Sequence, residues 1–549
     1  MIPSKSLVLA LGAFLSLPLS PVLASPVQKA DLTLPSSAVD HRAAVKKIFV
    51  DSYETYKKYA WKHDDVSPIS KGFTDGRNGW GASIVDAMST MVRVSFDLNL
   101  FSEAVDYVGT IDFSRSRTSD TVSVFETTIR YVGGLLSAYE LSNQEHPVLL
   151  TKAKEVAEKL AFAWVGTSDV PFGHIDFSNN VPKVAVSNIA EAGTLTLEWA
   201  TLSKYTGNDT YRQLSEKSLQ HIANLGAPLP GLPAQGIDPA TGQAVGGYVT
   251  WGGGSDSYFE YLIKYARLNN SVNPLFADSW RTAVDSSIKT LLKTSSIGDH
   301  VYLADYDSSK RIRHVSSHLA CFHGGNWLFG GKLLNNDTIV RHGLELVDAC
   351  WNTYASTATG IGPEAFAFKS SDGDYTGGSR SAEQEAFYLQ HGFYITSSYY
   401  ILRPEVLESN FYAWRVTGDT KYLDRAASAI DSFNKYLKAG EGFAGLTNID
   451  STSSDKVDDT ESFWFAEVLK YLYLTFDDPS HISLDSYVFN TEAHPFKAAA
   501  PVSSYGTGNN RNGDKPFTPT SGELPAVSSI PFLSGLGLQL QDTFKASPL

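Results

Sequence analysis

The sequence predicts an all-α fold, a toroid of antiparallel helix hairpins, and three observations carry that prediction. Apolar residues recur at helical spacing in one segment after another between residues 127 and 476. Strand-like alternation is scarce over the same span. Two hairpin turns also echo each other. Tyr205-Thr206-Gly207-Asn208 and Val416-Thr417-Gly418-Asp419 each follow an aromatic or basic helix end, and each places a glycine where a helix cap needs one.

In chain order the periodic segments are 127–141, 149–164, 189–205, 211–224, 256–268, 279–292, 326–330, 339–354, 383–400, 408–417, 421–438 and 461–476. Gly- and Pro-rich connections interrupt them at 226–254, 360–378 and 439–458. Pro404 suits the first turn of a helix, so Glu405 and Glu408 fall on one face of that turn with Arg403 free to neutralise one of them. About a dozen helices with long loops between them suit hairpins repeated around an axis better than a set of separate bundles.

No Pro/Ser linker divides residues 40 to 497, so the sequence reads as one large domain, 25–497. Residues 1–24 read as a secretory signal: Lys5, an apolar run from Leu7 to Leu17, and Val22-Leu23-Ala24 as a small-residue cleavage site. That run is shorter than the roughly 20 residues a spanning helix needs, and no later segment is long and apolar enough. The mature protein is therefore expected to be soluble, without a membrane span, secreted and monomeric. Residues 498–549, rich in Ser, Gly, Pro and Asn, read as an extended or disordered tail.

A net charge of −14 argues against nucleic acid and anionic membranes as partners. In an oxidising compartment the only two cysteines, Cys321 and Cys350, are expected to form a disulfide closing a loop of about 30 residues, for roughly 3–4 kcal/mol. Three sequons, at Asn208, Asn269 and Asn336, fit the same compartment.

Acidic residues recur at helix starts. Glu126 and Arg130 stand four apart; Gly252-Gly253-Gly254 leads into Asp256 and Glu260; Glu191, Glu364 and Glu467 sit beside glycine or among aromatic residues. Taken singly, each of these acids serves equally well as an ion pair or a helix N-cap. Taken together they suit glycosidic bond cleavage, which needs one carboxyl to protonate the leaving oxygen and a second as base or nucleophile. In a toroid, helix ends on one side converge on the axis, where scattered acids can share a cavity.

Five stretches in order resemble class I α-1,2-mannosidases, glycoside hydrolase family 47. They are Phe125-Glu126-Thr127-Thr128-Ile129-Arg130 with the following Gly133 to Tyr139, Asp256-Ser257-Tyr258-Phe259-Glu260, His318-Leu319-Ala320-Cys321-Phe322, Arg403-Pro404-Glu405-Val406-Leu407-Glu408-Ser409, and Asn490-Thr491-Glu492-Ala493-His494-Pro495. The short secretory start is most similar to the secreted fungal members.

The resemblance implies an (α/α)7 barrel with a Ca2+ ion at its base, a disulfide at Cys321 and Cys350, and removal of α-1,2-linked mannose from high-mannose N-glycans with inversion. It implies that Glu405 is the base and that Glu126, acting through a water, or Asp256 supplies the proton; which of the two does so stays open. It implies that Thr491 ligates the calcium by its hydroxyl and carbonyl oxygens, with waters held by Glu191, Glu364, Glu408, Glu467 and Glu492. Phe463 matches a ring that stacks on the terminal mannose, and Arg130, Arg403 and His318 match residues around that sugar.

Two residues before the aspartate, enzymes of the endoplasmic reticulum carry an arginine that limits them to one branch. Gly254 stands at that position here, so several branches are expected to be trimmed. A mannose-binding lectin of glycoprotein quality control is the competing reading; the complete acid set speaks for the hydrolase.

Overall fold

In the computed structural model, which describes residues 26–511 apart from 94–97, 166–168, 271–272 and 375–379, the chain winds into two concentric rings of helices. Outer and inner helices alternate strictly: outer α1 (Ala38–Ala60), inner α2 (Ala82–Arg93), outer α3 (Leu98–Gly109), inner α4 (Val124–Thr127, Thr128–Val132 and Gly133–Leu141) and outer α5 (Pro147–Leu160). Inner α6 (Ile189–Gly193 and Thr196–Thr206), outer α7 (Thr210–Ala223), inner α8 (Asp256–Leu268), outer α9 (Leu275–Thr290), inner α10 (Phe322–Leu333) and outer α11 (Asp337–Ala355) continue the series. An extra helix, α12 (Ala382–His391), precedes inner α13 (Glu405–Thr417), outer α14 (Lys421–Tyr436) and inner α15 (Trp464–Val468 and Leu469–Thr475). Each inner helix packs on the next, and α15 returns to α2, so the ring closes. That is the expected (α/α)7 barrel.

Residue patterning explains which helix goes where. Outer α14 buries Tyr422, Leu423, Ala426, Ala429, Ile430 and Phe433, one stripe at helical spacing. Inner α13 is buried from Glu405 through Val416, because its other face lines the axis. The Thr-Gly turns close as expected, Gly207 and Gly418 taking left-handed φ values of 70° and 67°. Strands are confined to short antiparallel pairs and triples in the loops.

Several expected segments differ. The 383–400 segment is not one helix: Gly392 at φ 77° ends α12 at His391, and Tyr394–Ser397 pairs with Ala365–Ala367 as a strand. Its aromatic and β-branched run, Phe393 to Thr396, prefers the pleated geometry. The 189–205 segment breaks after Gly193, whose missing Cβ lets the Tyr258 ring approach to what would be 2.7 Å. The 326–330 segment extends to Phe322–Leu333. The helices α1, α2 and α3 lie outside the periodic segments singled out from sequence.

The cysteines form the expected disulfide, joining the start of α10 to α11. Of the sequon asparagines, Asn208 and Asn269 are exposed, whereas Asn336 caps α11 by accepting from the Ile339 amide at 3.2 Å. Among the described residues no helix is long and apolar enough to cross a membrane. The expected signal, residues 1–24, and the tail beyond residue 511 lie outside the described residues.

Residues 499–511 run along the barrel wall. Arg267 donates to the carbonyls of Ala499 (2.9 Å) and Asp485 (2.6 Å), the Tyr505 hydroxyl to Asn270 (2.8 Å) and the Thr507 amide to Asp278 (2.9 Å). At the other end of the chain, the Val27 amide donates to the Asp485 carboxylate at 2.7 Å. Buried Arg415 gathers the Gln28 side chain and the carbonyls of Leu474 and Pro479, each at 2.9 Å.

Removing the disulfide by Cys350→Ser is expected to lower the unfolding free energy by about 3 kcal/mol, read as a fall in the urea midpoint at nearly constant slope.

Candidate active site

Glu126, Glu191, Asp256, Glu405, Glu408 and Glu467 occupy the first turns of inner helices, where the helix dipole favours negative charge. Glu364 instead leads into the strand Ala365–Ala367, and Glu492 lies in the turn of the last hairpin. A short strand feeds two of the helices. Val122–Ser123 delivers Glu126, whose amide donates to Ser123 Oγ at 3.2 Å. Ser187–Asn188 delivers Glu191, whose carboxylate accepts from Ser187 Oγ (3.0 Å) and Asn188 Nδ2 (2.9 Å). The glycine run delivers Asp256, and Leu402, at a left-handed φ of 68°, turns the chain into Pro404 and Glu405.

Glu405 is buried and accepts from His318 Nδ1 at 2.6 Å, while His318 Nε2 is hydrogen-bonded to the Tyr354 hydroxyl at 2.7 Å. Burial alone would raise the Glu405 carboxyl, but the His318 contact and the nearby Arg403 charge hold it below the usual carboxylate range. Asp256 behaves oppositely. Burial pushes it up to about 7, and the charges of Glu260 and Glu405 add to the shift. Two carboxyls that sense each other are thus driven to opposite protonation states.

Arg403 differs from the sequence reading. Its Nε donates to both oxygens of Glu364, at 2.8 and 2.7 Å, not to Glu405 or Glu408. Its charge reaches Glu405 only through space.

On the other side of the axis, Arg130 Nε donates to Glu126 at 2.7 Å and its Nη1 to Glu492, and the guanidinium lies 5.8 Å from the centre of the Phe463 ring. Arg77 is a second buried cation there, bound to Asp65 (2.9 Å) and Glu461 (2.7 Å) with its Nε 4.0 Å from Glu126. Against the upward push of burial, Arg130 and Arg77 hold Glu126 below its ordinary value.

Deeper along the axis, Glu408, Glu467 and Glu492 are buried together. Burial pushes Glu408 up to about 8, Lys264 opposing and Glu260 and Glu405 adding. Burial likewise raises Glu467 and Glu492, and Glu467 also feels the charges of Glu492, Glu405 and Glu408. Lys264 is committed to Glu260 and lies 3.9 Å from Glu408, which accepts from Tyr471 at 3.2 Å.

Half-buried Thr491 stands at the turn of the hairpin Tyr487–Phe489/Pro495–Lys497. Its amide donates to the Tyr261 hydroxyl (3.3 Å), which donates to Glu198 (2.6 Å). The Asn490 side chain clasps the turn, accepting from the amides of Glu492 (2.9 Å) and His494 (2.7 Å).

A hard divalent cation fits this floor. The donors are oxygens, and burial first, with the charges of neighbouring acids adding to it, raises the carboxyls of Glu408, Glu467 and Glu492, a cost that such an ion would offset. Among the described residues no group of three or more Asp, Glu, His or Cys is placed to hold an ion directly. The fit is therefore for an ion held by the oxygens of Thr491, with Glu408, Glu467 and Glu492 acting through water. Glu191 feels the charge of Glu126, and Glu364 pairs with Arg403.

With this geometry in view, the glycosyl hydrolase family 47 model matches residues 48–498. The chain belongs to glycosyl hydrolase family 47. It is 42% identical over 524 residues to a probable mannosyl-oligosaccharide α-1,2-mannosidase 1B of Aspergillus clavatus, covering 90% of this chain and 99% of that one. It is 40% identical to the mannosyl-oligosaccharide α-1,2-mannosidase 1B of Aspergillus oryzae, covering 88% and 99%. Its structure superposes on the α-1,2-mannosidase from Trichoderma reesei with a TM-score of 0.81 at 37% identity, covering 84% and 99%.

In this family 47 chain the sequence reading passed over Arg77, Tyr354, Lys264 and Asp86. Arg77 sits in a short turn before α2 without periodic context, and Tyr354 looks like any core aromatic at the end of α11. Lys264 carried a usable signal, one turn beyond Glu260 in the mostly apolar and aromatic run Tyr258 to Ala266.

Removing one partner of a buried ion pair strands the other charge. Arg403→Met is expected to cost about 3–5 kcal/mol of stability, and the double change Arg403→Met with Glu364→Leu to restore most of it, as read from denaturation midpoints.

Proposed function

We propose that this protein is a calcium-dependent, inverting exo-α-1,2-mannosidase that trims terminal α-1,2-linked mannose from high-mannose N-glycans on several branches. The observation that carries the reading is the opposed pair: Glu405 kept ionised by His318, and Asp256 pushed up to about 7 by burial. An ionised and a protonated carboxyl at one site are what glycosidic hydrolysis needs. The relatives' names supply the sugar and the linkage.

In this reading Glu405 accepts a proton from a water that attacks the anomeric carbon. The leaving oxygen is protonated from the other side, and the product has inverted configuration. Asp256 is the better donor, since Glu126 is held ionised between Arg130 and Arg77. Glu126 then orients Arg130, which lies against Phe463 beneath the sugar ring. His318, oriented by Tyr354, holds the base in place. Ca2+ bound by Thr491 would fix the hydroxyls of the terminal mannose and favour a distorted ring.

Breadth over branches is supported by Gly254. It takes φ 84°, and a Cβ there would meet Gln235 Nε2 at 2.7 Å. The seat suits no side chain, so nothing projects from it to screen one branch from another. The disulfide supports action in the oxidising secretory route.

Glu405→Gln is expected to lower kcat by at least about 1,000-fold while glycan affinity persists, and proton NMR of the wild-type reaction should show β-mannose first. Release of α-mannose, or full turnover by the variant, would overturn the mechanism. A group that must be protonated gives a rate that falls as pH rises through its pKa. With Glu405 as base and Asp256 as donor, log kcat/KM should fall on the acid side through the lowered Glu405 carboxyl, run level up to about 7, and fall with unit slope above it. Asp256→Asn should abolish activity, whereas Glu126→Gln should leave residual activity with the same alkaline limb.

A further inference from the structure

The turn that carries Thr491 is held from below by a lysine that the reaction does not use. Lys470, on α15, is buried, and its Nζ donates to the Ala493 carbonyl at 2.7 Å and to Ser89 Oγ at 2.8 Å. Ala493 takes φ 55°, a left-handed conformation that costs a non-glycine residue about 1 kcal/mol or more and persists only where its surroundings impose it. The Asn490 side chain clasps the amides on the inner side of the turn. Lys470 takes the carbonyl on the outer side.

The second acceptor extends the constraint. Ser89 Oγ is hydrogen-bonded to His494 Nδ1 at 2.8 Å, and His494 Nε2 lies 3.3 Å from Asp86 Oδ1. Asp86 accepts from Ser462 Oγ and stands 3.6 Å from Arg130 Nη1. Serine, histidine and aspartate follow one another here as in a hydrolytic triad. Ser89 is only 1% exposed and His494 and Asp86 are fully buried, so no substrate reaches them and their role is mechanical. The line joins the Thr491 turn to Arg130, the arginine that Glu126 orients.

We infer that Lys470 is a positioning residue for metal binding: by pinning the Ala493 carbonyl it sets where Thr491 and Glu492 stand against the buried acids. Through Ser89, His494 and Asp86 it ties that turn to Arg130. A neutral side chain of similar length would fill the space but leave the Ala493 carbonyl without a donor, and the strained turn would relax. This inference rests on the calcium reading above.

The test is calorimetric titration of CaCl2 into the EDTA-stripped full chain, comparing wild type, Lys470→Met and Ile430→Ala. The last empties a buried site on outer α14, remote from the turn, and controls for lost stability alone. Groups that orient metal ligands typically change affinity by about 10–100-fold when removed. Lys470→Met is expected to weaken calcium by that factor and Ile430→Ala to change it less than about twofold, with Lys470→Met recovering most of its kcat at saturating CaCl2. Equal calcium affinity in wild type and Lys470→Met would overturn the inference, as would an equal loss in Ile430→Ala. Absence of calcium binding by the wild type would instead overturn the metal reading. Should Lys470→Met fail to fold, Ser89→Ala carries the test, since it removes the lysine's second anchor: weaker calcium binding supports the inference and unchanged binding overturns it.

Discussion

The barrel is organised around an excess of buried negative charge. Carboxylates leave water only where donors or counter-ions replace its hydrogen bonds, and here acids from α8, α13, α15 and the last hairpin meet near one axis. Most other features of the interior answer that demand. His318 serves Glu405, Arg403 serves Glu364, Arg130 is shared by Glu126 and Glu492, and Lys264 is taken by Glu260. What these donors leave unmet is shared by Glu408, Glu467 and Glu492, whose carboxyls burial raises.

Ring closure is what makes such crowding structurally possible. Seven inner helices present their first turns to one end of the axis, so oriented backbone amides and aligned dipoles add favourable potential where the acids gather. Two of those helices carry a wide turn beside the site, Thr128–Val132 next to Glu126 and Trp464–Val468 next to Phe463. Insertions of this kind recur at functional sites, and here each shifts the register of the residues before it relative to the helix that follows.

Local features were legible in the sequence and distant ones were not. Glu405 and Glu408 on a proline-led first turn, and Arg130 one turn after Glu126, follow from spacing alone. The partner of Arg403 lies 39 residues away, so proximity along the chain pointed to the wrong glutamates. Helices α1 and α2 both carry stripes that spacing could have revealed: Val45, Ile48, Phe49, Ser52, Tyr53 and Tyr56 on α1, and on α2 Ile84, Met88 and Met91 opposite Ser83, Asp86 and Thr90. The Thr491 turn has no sequence signal of an ion site beyond family resemblance, because the carboxylates around it come from separate helices.

Asp485 gathers two distant stretches of the chain: the Val27 amide donates to its carboxylate, and Arg267 donates both to its carbonyl and to that of Ala499. Val27 and Ala499 therefore lie close to one residue, at the far side of the barrel from the catalytic mouth. A circularly permuted chain that runs directly from Ala499 to Val27, with new ends opened at the exposed Gly207–Asp209 turn, would keep all seven helix pairs and leave the mouth untouched.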